Sequence, residues 1–357
     1  MVMQQLVEDR EEVMSSTKAN GAPADPLAPA VTVHVAEGRH AERPAAAAAD
    51  EAGNKGARRS AMQTSTIGYA DQFISLQREA VGELIGTFLF LTLGFGVICT
   101  ATLGNVQLSL ASIAAIWGIG VALGIGVSSA LSDSHLNPAV TLAMVLFRKF
   151  EGKRAVVYWL AQVGGSTLAS LLLGCVYLPQ IKAYSTHTSI DALTNATTVE
   201  CNGGDIHPLP FQIGWPGLPN DERTPPGAIL AYEALAAAIL VACVLRLDPG
   251  NGKPQHLGAA VCALILVFAP LSGAGFNPAR DLGPRIASAV LSVHAAPCLA
   301  GFGGGEWWPY TLGPLIGAAL GGGLHALGSG LEKKHKEHDK EHDKKQKQLS
   351  ELAVYGV

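Results

Sequence analysis

Charge is what this sequence has least of. Asp, Glu, Lys and Arg make up 15% of the chain, against 48% hydrophobic residues. Soluble domains carry closer to a quarter charged residues. The few charges are also unevenly spread, most of them before residue 80, between 179 and 226, or after 332. The net charge is only −4, and no basic patch interleaved with aromatics occurs, so no nucleic-acid partner is expected. Six cysteines form neither a CxxC pair nor a zinc spacing. Cys99, Cys175, Cys243 and Cys262 lie in apolar runs and read as small core residues. Cys201 and Cys298 fall in loops assigned to one face, where pairing between them stays an open option. No nucleophile–base pair, metal set or cofactor fingerprint accompanies the buried acids, so neither an enzyme nor a bound cofactor or metal is expected. A secretory signal peptide is also missing from the start, and the first apolar run is expected to act as its own insertion signal.

What is present is a set of long apolar runs. A bilayer core takes roughly 20 apolar residues per spanning helix. Runs at 80–104, 108–130, 155–176, 227–245, 256–272 and 308–327 meet that length. They are apolar all round or glycine-rich, without the polar stripe of a helix in a soluble core. Two shorter apolar segments follow Asn137 and Asn277 and are too short to cross alone. Residues 1–77 carry Ala, Pro, Ser and charges in no periodic order, and their composition predicts a disordered tail. A single membrane domain is expected over 78–330, divided into a first part (78–178), a long loop (179–226) and a second part (227–330). Residues 331–357 form a charged tail in which 332–347 suits a solvated helix with charge pairs one turn apart. No metal is assigned to His335, His338 and His342, because nothing there would exclude water.

Lys and Arg set the expected orientation. The N-terminal tail, the Arg148, Lys149, Lys153, Arg154 group, the 246–253 turn and the C-terminal tail all fall on one side of a six-helix chain. Both termini are therefore expected in the cytoplasm, with 179–226 outside. That outer loop holds Asn195-Ala196-Thr197, an N-glycosylation acceptor pattern.

The chain repeats itself. Leu136-Asn137-Pro138-Ala139 returns 140 positions later as Phe276-Asn277-Pro278-Ala279, and Glu83-Leu84 returns 150 positions later as Glu233-Ala234. Each half has three spanning runs, an odd number, so the second half enters the membrane inverted. Inverted repeats with broken helices place a permeation or binding site near the midplane. Asn is a good N-cap and Pro suits the first helical turn, so each motif opens a half-helix in mid-membrane. Such irregular backbone is tolerated only where it is buried or lines a cavity. Two half-helices meeting N-terminus to N-terminus would converge their positive dipole ends on one point, a field that repels cations. Glu83 and Glu233, costly at that depth, read as scaffold acceptors for the non-helical backbone. Gly82, Gly86, Gly313, Gly317 and Gly321 allow close helix approach. Gln162 reads as a polar packing contact.

The stretches 134–141 (Ser-His-Leu-Asn-Pro-Ala-Val-Thr) and 275–285 (Gly-Phe-Asn-Pro-Ala-Arg-Asp-Leu-Gly-Pro-Arg) resemble the aquaporin, or major intrinsic protein, family, and the aquaglyceroporin-like branch in particular. The resemblance covers about 78–328, the whole membrane part. It implies an all-α membrane fold with six transmembrane helices and two re-entrant half-helices in an inverted repeat. It also implies a homotetramer in a lipid bilayer, in the plasma membrane. Exclusion of ions by an Arg and by half-helix dipoles is an established property of aquaporin-type pores. Family spacing implies a selectivity filter of Trp117, Ile265, Ala274 and Arg280, with pore motifs Asn137-Pro138-Ala139 and Asn277-Pro278-Ala279. A Trp in the first position without a filter His resembles glycerol-conducting members, and Asp281 with Arg285 matches the same branch. Bacterial glycerol channels carry Gly and Phe where this chain has Ile265 and Ala274. Asp133, just before the first motif, is expected at the cytoplasmic mouth.

The function implied is passive passage of glycerol and water, small uncharged solutes, with exclusion of ions and protons. A water-selective pore, or one for urea, peroxide or metalloid acids, is the alternative. A coupled secondary transporter fits less well, since the midplane offers only Asn and backbone.

Overall fold

The computed structural model describes residues 45–104, 106–190, 197–201, 224–247, 253–294 and 306–354. The chain divides into two compact units, Met1–Gln63 and Thr64–Val357, and the site lies wholly within the second. The described elements run α1 (Ala45–Thr102), α2 (Leu110–Ser128), α3 (Pro138–Arg148), α4 (Gly152–Val176), α5 (Leu178–Ser185), β1 (Thr186–Ile190), β2 (Thr197–Cys201), α6 (Pro226–Leu247), α7 (Pro254–Ser272), α8 (Pro278–His294) and α9 (Trp308–Val354).

Local chemistry sets the ends of these helices. Ser109 caps α2, its Oγ accepting from the Ser112 N–H at 3.1 Å. Pro254 opens α7, and Gly273 closes it with φ 80°, a conformation that glycine adopts without strain. Asn137 caps α3, which stops at Lys149 in the left-handed region.

Among the described residues, five segments are long and apolar enough to cross a membrane: Gln72–Thr102, Leu110–Ser128, Gly152–Val176, Pro226–Leu247 and Pro254–Ser272. They coincide with the first five runs read from the sequence. The sixth run opens α9 and is diluted by glycine. Those glycines press it onto α6: a Cβ at Gly313 would stand 2.8 Å from the Glu233 Cβ, and Gly317 and Gly321 leave no more room against Ala234 and Ala238. Hydropathy is exchanged there for backbone proximity. Large apolar side chains turn outward along the helices, Leu160 at 70% exposure and Val267 at 60% among them, as a hydrocarbon surrounding requires.

The two halves meet where α2 crosses α7. A Cβ on Gly118 would lie 2.6 Å from the Gly258 carbonyl oxygen, and one on Gly258 would strike the Gly118 carbonyl. These glycines are 140 positions apart, the same offset as the two motif asparagines. The crossing therefore sits on the pseudo-two-fold axis of the inverted repeat.

Three features depart from the sequence reading. Helix α1 begins at Ala45, so part of the stretch assigned to a disordered tail is helical; the Ala45–Ala49 run has the highest helix propensity available. Within the long loop, Thr186–Ile190 and Thr197–Cys201 pair as an antiparallel ladder, Thr186 opposite Cys201 and Ile190 opposite Thr197, rich in β-branched residues. Cys175 is exposed rather than a core residue. Asn195 of the acceptor pattern and Cys298 of the Cys201–Cys298 option lie outside the described residues.

Candidate functional site

Each half-helix is reached through a short extended segment held by one buried carboxylate. Glu83 Oε1 accepts from the His135 N–H at 2.9 Å and the Ser132 hydroxyl at 2.8 Å. Its Oε2 accepts from the Leu136 N–H and the Gln162 amide, both at 2.7 Å. Glu233 repeats this pattern in the second half, taking the Ser272 hydroxyl at 2.6 Å, the Gly275 N–H at 2.9 Å and the Phe276 N–H. Both glutamates are fully buried. A carboxylate with several donors is satisfied at a depth where an unpaired one would not be tolerated. Gln162 also donates to Thr141 Oγ1 at 3.1 Å, tying α4 to α3.

These brackets hold an unusual backbone. Ser134 and Leu136 have φ of 53° and 50°, and Ala274 and Phe276 have 54° and 32°. Left-handed conformation at a non-glycine residue costs on the order of 1–3 kcal/mol. Four such residues, paired at the 140-residue offset, persist because the glutamates fix the N–H groups around them. Nothing in the residue types announces this, since none of the four is Gly or Asn.

The half-helices then lock to each other. Asn137 Nδ2 donates to the Phe276 carbonyl at 2.9 Å, and Asn277 Nδ2 donates to the Leu136 carbonyl at 3.0 Å. Their Oδ1 atoms cap the half-helices by accepting from Ala139 N–H at 2.8 Å and Ala279 N–H at 3.0 Å. An amide nitrogen has two N–H groups, so each asparagine keeps a second donor, and both residues line the cavity. Pro138 and Pro278 stand at the first helical position, where no N–H is needed.

Two cavities adjoin at this junction. The inner one, about 70 Å³, is lined by both asparagines and His135; the outer, about 330 Å³, is lined by Ile98, Leu110 and Pro270 among others. Four residues line both: Trp117, Ile265, Ala274 and Arg280. They come from α2, α7, the second re-entrant segment and α8, and they form the neck between the cavities. Trp117 reaches the neck because Gly94 leaves room for its ring; a Cβ there would lie 2.6 Å from three indole carbons. Its ring stands edge-on to Phe95 at 5.8 Å. The Arg280 guanidinium lies 5.8 Å from the Trp117 ring and 5.9 Å from Phe95. Arg280 is only 4% exposed, and its Nε and Nη1 have no hydrogen-bond partner in the protein. Buried donors without a partner are rare, and here they mark the neck as a place where the protein itself leaves a polar group unsatisfied.

Asp281 does not face the cavities. It binds Arg285 in a fully buried fork, Nε to Oδ2 at 2.8 Å and Nη2 to Oδ1 at 3.1 Å. His135 is a cavity-lining residue that the sequence reading passed over, although it stands inside the first motif. Its Nδ1 lies 3.2 Å from Thr141 Oγ1. Asp133 pairs with Arg154 at 3.1 Å.

Fold and site together define the class: an integral, multi-pass membrane channel built on an inverted repeat with paired half-helices. Residues 71–204 and 220–325 match the family described as major intrinsic protein, and the chain belongs to it. It is 31% identical over 260 residues to the glycerol uptake facilitator protein of Haemophilus influenzae, covering 69% of this chain and 90% of that one. The glycerol uptake facilitator protein of Escherichia coli K12 is 30% identical, over 70% of this chain and 86% of its own. A propanediol uptake facilitator of Citrobacter freundii is 30% identical over 70% and 91% respectively. The X-ray structure of the aquaglyceroporin from Plasmodium falciparum shares the fold, with TM-score 0.53, 23% identity and coverage of 70% of this chain and 95% of that chain.

Proposed function

We propose that this protein is a passive channel for glycerol and water that excludes ions and protons. The observation that carries the reading is the neck itself, where the unpaired Nε and Nη1 donors of Arg280 stand beside an apolar wall of Trp117 and Ile265. Glycerol has a hydroxyl edge and a hydrocarbon edge, and this pairing suits both. The similarity to glycerol uptake facilitators points to the same solute. The relative named for propanediol supports a second solute of the same class, a small diol with one hydroxyl fewer.

In this reading Asn137 and Asn277 orient the solute at the midplane with their remaining N–H groups. A water held by both donates outward in each direction, which interrupts a proton-conducting chain. The converging half-helix N-termini and Arg280 raise the barrier to cations. Glu83 and Glu233 act as scaffold, and Asp281 with Arg285 stiffens the half-helix behind Arg280. The channel domain is 78–330. Both termini are placed in the cytoplasm, the membrane is the plasma membrane, and four copies assemble in the bilayer with one pore each. No reaction, cofactor or metal is assigned.

The test is reconstitution of the purified chain in liposomes, with water and glycerol permeation followed by stopped-flow light scattering. Glycerol uptake well above protein-free liposomes is expected. Water passage without glycerol passage would replace this reading with a water-selective pore.

A further inference from the structure

The two repeats share the carboxylate bracket but differ in what supports it from outside. In repeat one, buried Tyr158 sits beneath the re-entrant segment. Its Oη accepts from the Asp133 backbone N–H at 3.3 Å and donates to Glu79 Oε2 at 3.1 Å. Arg154 spans both acids, with Nη2 at 2.7 Å from Glu79 Oε2 and 3.1 Å from Asp133 Oδ2. The same guanidinium covers the Phe150 ring at 4.4 Å. Phe150 and Tyr158 in turn hold the His135 imidazole, with ring centroids at 4.9 and 5.1 Å. One cation outside the cavity thus braces the residue that lines it.

Repeat two is built differently. Tyr310 is the counterpart of Tyr158, and its Oη donates to the Ser272 carbonyl at 2.9 Å. The positions that match Glu79 and Asp133, at the offsets of 150 and 140, are Ile229 and Gly273, which carry no charge. Ile229 packs against Tyr310 in a buried apolar pair. An apolar contact of this kind is indifferent to salt and charge, whereas the ionic one is not. A single exposed pair would matter little. Here a rigid fork joins two carboxylates on different segments and lies over a ring, so the loss of one group loosens several others.

We infer that Arg154 is a positioning residue for permeation: through Asp133, Phe150 and Tyr158 it holds His135 against the inner cavity, which makes the inner half of the pore the adjustable half. The inference rests on the channel reading above. Its test uses two properties of each pore that do not depend on how many channels are intact, namely the ratio of glycerol to water permeability and the temperature dependence of water permeation. Parent, Arg154→Gln, Arg154→Lys and Asp133→Asn proteins are compared in liposomes. Arg154→Gln is expected to change the ratio several-fold. Arg154→Lys, which keeps the cation, should return most of the way to the parent, and Asp133→Asn should shift it in the same direction by less. Proportional loss of both fluxes in Arg154→Gln, with an unchanged ratio, would overturn the inference. Should that variant not fold, an unchanged ratio in Asp133→Asn overturns it equally. Failure of the glycerol reading is visible in the parent instead: a parent that passes water alone leaves Arg154 to be judged on temperature dependence, where equal values contradict the inference. A parent that passes neither solute removes both.

Discussion

Arg280 and the two bracket glutamates bear most of the chemistry, and they do so in opposite ways. Arg280 leaves Nε and Nη1 without a protein partner at the neck, while Glu83 and Glu233 have their oxygens engaged by the re-entrant backbone. Replacing Glu83 by Gln puts an amide N–H against backbone donors and leaves at least one of them unmet. A buried unmet donor costs about 1–3 kcal/mol, so Glu83→Gln should lower the thermal unfolding midpoint in detergent and reduce glycerol flux. An unchanged midpoint would mean that the left-handed segment holds itself. The roles at this scale were only partly legible. The motif residues are readable from sequence, because two Asn-Pro-Ala segments in an inverted repeat are specific, whereas Trp117, Ile265, Ala274 and Arg280 are reached only through resemblance to the family. The φ values at Leu136 and Phe276 are not, because their cause lies more than 40 residues away in Glu83 and Glu233. Gly94 looks like any other glycine of an apolar run until the Trp117 ring is placed against it.

Among the elements, the crossing of α2 and α7 is one of the places where the two halves are held together, alongside the packing of α4 on α8 and the paired asparagines. Gly118→Val would drive a branched side chain into the Gly258 carbonyl. Overpacking in a well-packed core costs typically 1–3 kcal/mol and moves backbone. Loss of folded protein on size-exclusion chromatography is the expected result, and normal recovery would place the crossing elsewhere. The helices themselves were legible from apolar length, which the bilayer dictates. The start of α1 was not, because charged and alanine-rich composition is compatible with both helix and coil. The β1–β2 ladder was missed for a similar reason: Thr-rich strands of five residues inside a long polar loop lack a clear apolar alternation.

At the level of the whole molecule, the inverted repeat explains why one site is built twice. Glu83 and Glu233, Gly118 and Gly258, Asn137 and Asn277, and the left-handed pairs all return at nearly constant offset. The region beyond Leu331 takes no part in this symmetry. From Glu332 to Lys345 α9 is exposed, with pairs such as Lys345–Glu341 at 3.0 Å and one surface link, Arg246–Glu332 at 3.5 Å. Exposed pairs contribute about 0–1 kcal/mol. Removal of residues 332–357 should therefore leave glycerol and water permeability at the parental level in the same vesicle assay, and a large loss would give that helix a part in conduction.

The central claim is that the Trp117, Ile265, Ala274 and Arg280 neck chooses the solute. It is tested most directly by measuring the glycerol-to-water permeability ratio of liposomes that hold the parent or the Trp117→Phe/Ile265→His double variant. The exchange trims the aromatic part of the wall and puts a polar imidazole in place of its aliphatic part, beside Arg280. A steep fall in the ratio with water passage retained is the predicted result. An unchanged ratio would contradict the account and move solute selection to another part of the pore.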